Sequence, residues 1–105
     1  GFVLHTQDHM LPESLPVTRE IGLTSSIEIL RDITNGTGPT HSIVSVGCAG
    51  WHAGQLEDEL AANVWLSMPA TSDLVFRDDT SAIWKDAYRL LGVDPVHFVS
   101  DTGSA

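Results

Sequence analysis

One glycine-rich turn constrains this chain more than any other feature. Residues 47–54 read Gly-Cys-Ala-Gly-Trp-His-Ala-Gly, and they lie between the apolar run at 42–46 and an acidic amphipathic segment at 55–63. The first pattern predicts a strand and the second a helix. Three glycines in eight residues allow positive φ angles or a close approach of the backbone. Because tryptophan carries a large apolar surface, a turn that holds Trp51 is predicted to be either a packing corner or a binding site.

The remaining hydrophobic periodicity predicts alternating strands and helices. Strands are predicted at residues 2–6, 15–23, 42–46 and 73–76, with an extended segment at 65–68. Helices are predicted at residues 27–34, 55–63 and 83–91. This order predicts an α/β or α+β fold, with a layered mixed sheet and about three helices. The length of 105 residues predicts a single domain over residues 1–105.

Several residues carry more specific structural expectations. Residues 42–46 have no polar face, which predicts an interior strand buried on both sides. Residues 25–28 read Ser-Ser-Ile-Glu and predict a capping box at the start of the first helix. Ile27, Leu30, Ile33 and Thr34 are predicted to form one face of this helix. Trp65 and Trp84 are predicted to lie in the core.

Composition restricts the classes of partner. The chain has 14 Asp and Glu against 5 Lys and Arg, a net charge of −9, and its basic residues are scattered. Nucleic-acid binding draws on clustered basic side chains, so this chain is predicted not to bind DNA directly. No apolar run is long enough to cross a membrane. A single cysteine cannot form an internal disulfide, which argues against a disulfide-stabilised secreted domain and favours the cytoplasm.

Several segments together resemble the bacterial AlgH/YqgE family. The matching segments, in chain order, are Gly-Phe-Val-Leu-His-Thr at 1–6, Gly-x-Ala-Gly-Trp-x-x-Gly-Gln-Leu-Glu-x-Glu at 47–59, Asn-x-Trp-Leu at 63–66, Asp-Leu-Val-Phe at 73–76, Leu-Gly-Val-Asp at 91–94 and Gly-Ser-Ala at 103–105. The resemblance covers essentially the whole chain. It implies that Gly1 lies inside a longer protein whose N-terminal portion precedes it, so that the sheet is incomplete without that portion.

The resemblance implies little about mechanism. Family members are described as candidate transcriptional regulators, and their biochemical activity is not established. Two positions depart from the family pattern: Cys48 stands where relatives commonly have Tyr, and Ser104 where they commonly have His. The first departure argues against a family-wide role for a thiol at this turn.

The candidate site residues cluster around the turn and the helix that follows it. Cys48 precedes a helix start, where a thiol pKa can be lowered, and the other reading is a small buried side chain that fills the space of a tyrosine. A surface for a ligand or a partner is predicted from the polar and turn residues of the matching segment: Gly50, Trp51, Gly54, Gln55, Glu57, Glu59 and Asn63. The other reading of these residues is structural, as a strand-to-helix corner and its caps.

No catalytic, cofactor or metal site is predicted. The five histidines lack metal-ligand spacing, and no Ser-His-Asp arrangement can be argued from residue order. The sequence favours a cytoplasmic binding or regulatory protein, without a cofactor, whose partner is a protein or a small molecule. Self-association is a further possibility, because uncovered sheet edges promote pairing. The alternative is an enzyme or thiol redox sensor that uses the turn around Cys48.

Overall fold

The structure, a computed structural model, describes residues 1–94 of the chain. Within those residues the strands are β1 (Phe2–Thr6), β2 (Leu15–Pro16), β3 (Ile21–Thr24) and β4 (Ser42–Ser45). The helices over the same range are α1 (Ile27–Thr34), α2 (Gln55–Ala61), α3 (Ser72–Val75) and α4 (Ile83–Leu91), with a 3₁₀ turn at Thr80–Ala82. The predicted fold class, a combination of strands and helices, is confirmed.

The chain divides into two compact units. The first unit comprises Gly1–Cys48 and Ala70–Arg77, and the second comprises Ala49–Pro69 and the chain from Asp78 onward. The first unit contains all four described strands together with α1 and α3, whereas the second contains α2, α4 and the 3₁₀ turn. That residues 1–105 form one domain stays a prediction.

The sheet of the first unit has the strand order β2-β3-β1-β4. Every described pairing is antiparallel, so the sheet is antiparallel rather than mixed over residues 1–94. The predicted strand at 15–23 is in fact the hairpin of β2 and β3, because the chain turns at residues 17–20, where Val17 N donates to Ile21 O at 2.8 Å.

Residues of the sheet, α1 and α3 form the core of the first unit. Its buried apolar side chains are Val3, Ile21, Ile29 and Leu74. In α1 the fully buried residue is Ile29, whereas Ile27 and Leu30, which share the predicted face of this helix, are exposed. The predicted capping box is also not formed, because Ser26 is the N-cap and its side chain makes no cap hydrogen bond.

Strand β4 is not the interior strand, buried on both sides, that was predicted for residues 42–46. It pairs with β1 and lies at the edge of the sheet as described for residues 1–94. Ile43 and Val44 are both exposed, and Val46 just beyond the strand is 96% exposed. A continuous apolar run is typical of a central strand, but here no other described strand pairs with the outer edge of β4.

A further predicted strand, at residues 73–76, is the single helical turn α3. The Thr71 side chain accepts a hydrogen bond from Leu74 N at 3.3 Å and so caps the turn, while the turn directs Leu74 into the core. Glu20 accepts from Ser72 N at 3.0 Å and from Ser72 Oγ at 2.5 Å, which ties α3 to the β2–β3 hairpin. Capping and one buried leucine therefore decide the local structure here.

Helices α2 and α4 of the second unit lie where the periodicity predicts them. Asp79 accepts hydrogen bonds from Ser81 N at 3.1 Å and from Ser81 Oγ at 2.6 Å, which confirms the predicted capping residues before α4. Gly92, with φ of 71°, ends this helix as predicted. The segment at 65–68 forms neither helix nor strand.

Candidate binding site

The glycine-rich turn leads into α2, and one residue of the turn, Gly54, has a left-handed backbone conformation. Gly54 is the N-cap of α2 with φ of 82°, in the left-handed region. The Gln55 side chain accepts from His52 N at 2.9 Å and so holds the turn against the helix start. Gly47 and Gly50 have no positive φ, and a Cβ added at either would meet nothing within 4 Å. Of the three glycines, Gly54 therefore has the backbone role that the sequence indicated.

Glu59 joins the turn, α2 and the segment that follows α2. Its Oε2 accepts from Trp65 Nε1 at 2.6 Å and from Trp51 Nε1 at 3.0 Å, while Oε1 accepts from Gln55 Nε2 at 3.1 Å. These hydrogen bonds, led by the one from Trp65, stabilise the carboxylate and hold the pKa of Glu59 below its ordinary value. The Trp51 and Trp65 rings meet edge to face at 6.2 Å.

The structure brings three of the predicted site residues into direct contact. Trp51 and Gln55 both donate hydrogen bonds to Glu59, and Gly54 is the N-cap of the helix that carries Gln55 and Glu59. Glu57 is exposed, as is Gly50. Their role in binding stays a prediction.

Asn63 has a conformational role at the end of α2. Its φ of 61° is left-handed, its N donates to Leu60 O at 3.1 Å, and Val64 N donates to Glu59 O at 3.0 Å. This pair of bonds is the Schellman arrangement that closes a helix. The backbone geometry therefore accounts for asparagine at this position, and its action on a ligand stays a prediction.

Cys48 is exposed, which is contrary to the reading in which it is a small buried side chain that replaces a tyrosine. The thiol is thus accessible to solvent at the end of the first unit.

An aromatic pocket lies within the second unit. It has a volume of about 260 Å³ and is lined by Trp65, Leu66, Met68, Trp84, Ala87, Tyr88 and Leu91. The segment after α2 supplies one wall, and one face of α4 supplies the other, because residues 84, 87, 88 and 91 share a helical face. The Trp84 and Tyr88 rings meet edge to face at 4.6 Å.

This pocket corrects the prediction that Trp65 and Trp84 are core residues. Trp65 is 41% exposed and Trp84 is 50% exposed. Helical periodicity correctly placed Trp84, Ala87 and Leu91 on one face, but it could not show that this face lines an open pocket. Two aromatic residues four apart, at 84 and 88, were the signal available in the sequence.

A second polar cluster, inside the first unit, was missed at the level of sequence. His5 is fully buried, with Nδ1 2.9 Å from Thr6 O and Nε2 2.7 Å from Thr24 Oγ1. Thr24 Oγ1 in turn lies 2.6 Å from Ser14 Oγ. The available signal was strand alternation, which places His5 on the same face of β1 as the buried Val3.

Asp8 fastens the end of β1 to the segment before β4. Its carboxylate accepts from Thr40 Oγ1 at 2.5 Å, from Thr6 Oγ1 at 2.5 Å and from Thr40 N at 3.0 Å. These bonds, with that from the Thr40 side chain first, lower the pKa of Asp8 to about 2. Similarly, the bonds from Ser72 lower the pKa of Glu20. Both carboxylates hold the scaffold together and lie in the first unit.

Among residues 1–94, no group of three His, Cys, Asp or Glu side chains is placed to hold a metal ion. No helix in that same part of the chain has the length and apolar character needed to cross a membrane.

Comparison with known proteins decides the family. The profile of the family described as DUF179, AlgH-like, matches residues 1–96. The chain belongs to the AlgH-like family. A relative from Beijerinckia indica, named UPF0301 protein, is 43% identical over 106 residues, and another UPF0301 protein, from Chelativorans sp., is 40% identical over 105 residues. Each alignment covers 100% of this chain and 52% of the relative.

A solved structure supports the same assignment. The solution structure of the AlgH protein from Pseudomonas aeruginosa matches this AlgH-like chain with a TM-score of 0.74 and 37% identity, over 100% of this chain and 53% of that one. The chain therefore spans about half the length of the relatives it matches. The predicted resemblance is confirmed.

Proposed function

We propose that this AlgH-like protein acts by binding a protein partner or a small molecule, and that the aromatic pocket of the second unit is its binding surface. The observation that carries the proposal is the exposure of Trp65 and Trp84 around an apolar pocket. Ligand sites in proteins are mostly apolar concavities, and the lining of this pocket is apolar and aromatic.

A regulatory role would be exerted through that partner rather than by direct contact with DNA. The net charge of −9 opposes the approach of a phosphate backbone. We also infer a cytoplasmic location, which the single cysteine and the acidic composition favour.

The test compares two substitutions on α4 of the full-length protein. Trp84→Ala removes a pocket ring, whereas Leu90→Ala removes an exposed side chain that does not line the pocket. Partners are sought by affinity capture and ligands by thermal shift, since a ligand at about 100 times its Kd stabilises the folded state by about 2.7 kcal/mol. Binding should be lost in Trp84→Ala and kept in Leu90→Ala. Partners or ligands that bind both variants equally would contradict the proposal.

A second candidate function, a thiol sensor or enzyme, is favoured by the exposure of Cys48. Exposure by itself permits reaction with a thiol reagent, so the informative quantity is the rate. A functional thiol should react at neutral pH several times faster than free cysteine, because the thiolate is the reactive form. A rate equal to that of free cysteine, with Cys48→Ala unchanged in stability and in partner binding, would remove this candidate.

A further inference from the structure

Three aromatic rings surround the pocket of the second unit. Trp65 comes from the segment after α2, while Trp84 and Tyr88 come from α4. Trp84 and Tyr88 are edge to face at 4.6 Å with an interplanar angle of 62°, so the two rings present differently oriented surfaces. The negative faces of aromatic rings attract cations, and several rings around one pocket form the cages that recognise alkylated ammonium groups.

Glu59 strengthens this preference for positive charge. Its carboxylate accepts the indole N–H of Trp65 at 2.6 Å, a charge-assisted hydrogen bond. Such a bond increases the electron density of the indole ring, and therefore the attraction of its face for a cation. A glutamate carboxyl is ionised at neutral pH, and the hydrogen bonds that lower the pKa of Glu59 act in the same direction.

The charge of the whole second unit acts in the same direction. Its described residues contain seven Asp and Glu side chains and two basic ones, Lys85 and Arg89. Arg89 forms an ion pair with Asp86 at 2.9 Å on α4. An anionic ligand would meet a repulsive field here, and a cation would meet an attractive one.

The pocket volume favours a small ligand. At about 260 Å³ the pocket lies just below the range of about 300–1,000 Å³ that is typical of small-molecule sites. Leu66, Met68, Ala87 and Leu91 supply apolar contacts that a bare ammonium ion could not use. We infer that the aromatic pocket binds a small quaternary or alkylated ammonium compound, held by the faces of Trp65, Trp84 and Tyr88. This inference rests on the proposed function, since it assigns a ligand class to the same pocket.

The experiment compares choline with its neutral carbon isostere, in which a tert-butyl group replaces the trimethylammonium group. The two probes have the same shape, so a difference in affinity reports the charge. Both are titrated into the full-length protein and followed through the indole N–H signals in NMR spectra. Choline should bind about tenfold more tightly than the isostere and should shift the signals of Trp65 and Trp84.

Two variants locate the site. Trp84→Leu keeps apolar volume but removes a ring, and it should abolish the preference for choline. Leu90→Ala, away from the pocket, should retain it. Because the comparison of the two probes is made on the unaltered protein, it does not depend on how well either variant folds.

The possible failures are distinct. Equal affinity for the two probes would overturn the ammonium inference but leave an apolar binding pocket, and with it the proposed function. Choline binding that persists in a folded Trp84→Leu variant would overturn the site. Absence of any shift of the indole signals with choline would overturn the inference. The proposed function is tested separately, by whether the capture of partners depends on Trp84.

Discussion

His5, Thr24 and Ser14 form a directional hydrogen-bond chain inside the first unit. Nδ1 of His5 donates to the Thr6 carbonyl that it faces, and in that tautomer Nε2 accepts from the Thr24 hydroxyl. Thr24 then accepts from Ser14, whose Oγ accepts from Leu11 N at 2.8 Å. Every step joins a donor to an acceptor, which is what allows a histidine to lie fully buried in this core.

Replacing Thr24 tests this network. Thr24→Val keeps the shape but leaves the buried Nε2 of His5 without its donor, so it should lower the free energy of unfolding by about 1–3 kcal/mol. Thr24→Ser retains the hydroxyl and serves as the control, with a smaller loss. Chemical denaturation measures both. A Val variant as stable as the Ser variant would show that the hydroxyl contributes nothing to stability.

Glu59 has a comparable organising role at the surface of the second unit. Two indole N–H groups and one amide converge on a half-buried carboxylate. Because these donors stabilise the ionised form, the folded-state pKa lies below the ordinary value of 4.5. The resulting stabilisation is present above pH 4.5 and is lost as pH falls through the lowered folded-state pKa.

Glu59→Gln should therefore lower the Tm at pH 7, and the difference from the parent protein should shrink as the pH falls below 4.5. Tryptophan fluorescence should change as well, since Trp51 and Trp65 lose a charged acceptor. Glu57→Gln, at an exposed position two residues away, is the matched control for the loss of one charge. If both variants show the same Tm change at every pH, the contacts of Glu59 have no special role.

At the scale of elements, the same backbone arrangement, the Schellman motif, ends three of the helices described in residues 1–94. After α1, α2 and α4 the left-handed residues are Gly36, Asn63 and Gly92. Each is followed by a residue whose N–H reaches back five positions, from Thr37 to Asp32, from Val64 to Glu59 and from Val93 to Tyr88. The two glycines are common signals for this motif, and asparagine is the less frequent alternative.

Asn63 offers a test of this geometry. Asn63→Gly should preserve or increase stability, because glycine adopts positive φ without a Cβ penalty. Asn63→Ala should lower the free energy of unfolding by about 1 kcal/mol, since alanine is disfavoured in the left-handed region. Thermal unfolding of both variants gives the comparison. An alanine variant that is as stable as the glycine variant would contradict this conformational role.

The start of α2 permits a parallel test at Gly54. A Cβ there would meet no neighbour, so any cost comes from the backbone with φ of 82°. Gly54→Val should reduce stability by more than about 1 kcal/mol, whereas Ala53→Ser should be close to neutral. Gly50→Ala is a second control, because its φ is not positive. Equal melting temperatures for Gly54→Val and Ala53→Ser would show that Gly54 needs no left-handed backbone.

At the scale of the molecule, the edge of the sheet at β4 stands out. The strand reads Ser-Ile-Val-Ser, with no proline and no charged residue to discourage pairing. Beside it lies a groove of about 310 Å³, lined by apolar side chains that include Phe2, Ile27, Leu30, Val44 and Val46. Such an edge favours association with another strand. It therefore supports self-association of the 105-residue chain, which stays a prediction.

Substitution at this edge tests the prediction. Val44→Lys places a charge on the exposed edge strand, and it should convert associated species of the 105-residue chain into monomer in sedimentation experiments. Leu90→Lys, on α4 of the second unit, adds the same charge elsewhere and should leave association unchanged. A chain that is already monomeric without substitution, or equal association of both variants, would contradict a role for β4.

Local patterns in the sequence determined much of this protein. The periodicity of apolar residues placed β1, α1, α2 and α4, and the capping residues and glycines placed helix ends at Gly36 and Gly92. The motif around Trp51 identified the family, and the net negative charge led to the prediction that the chain does not bind nucleic acid directly. These features are predictable because backbone geometry and capping depend on residues within a few positions of one another.

The tertiary structure decided which apolar faces are covered. Helical periodicity shows that Trp84 shares a face with Leu91, and the residues at 42–46 are visibly apolar in the sequence. Burial, however, depends on what lies against those faces. Trp84 therefore lines a pocket and β4 forms an edge, where periodicity predicted core. Likewise, the convergence of Trp51, Gln55 and Trp65 on Glu59 requires a fold that brings their side-chain donors to one carboxylate, and no spacing rule specifies those distances.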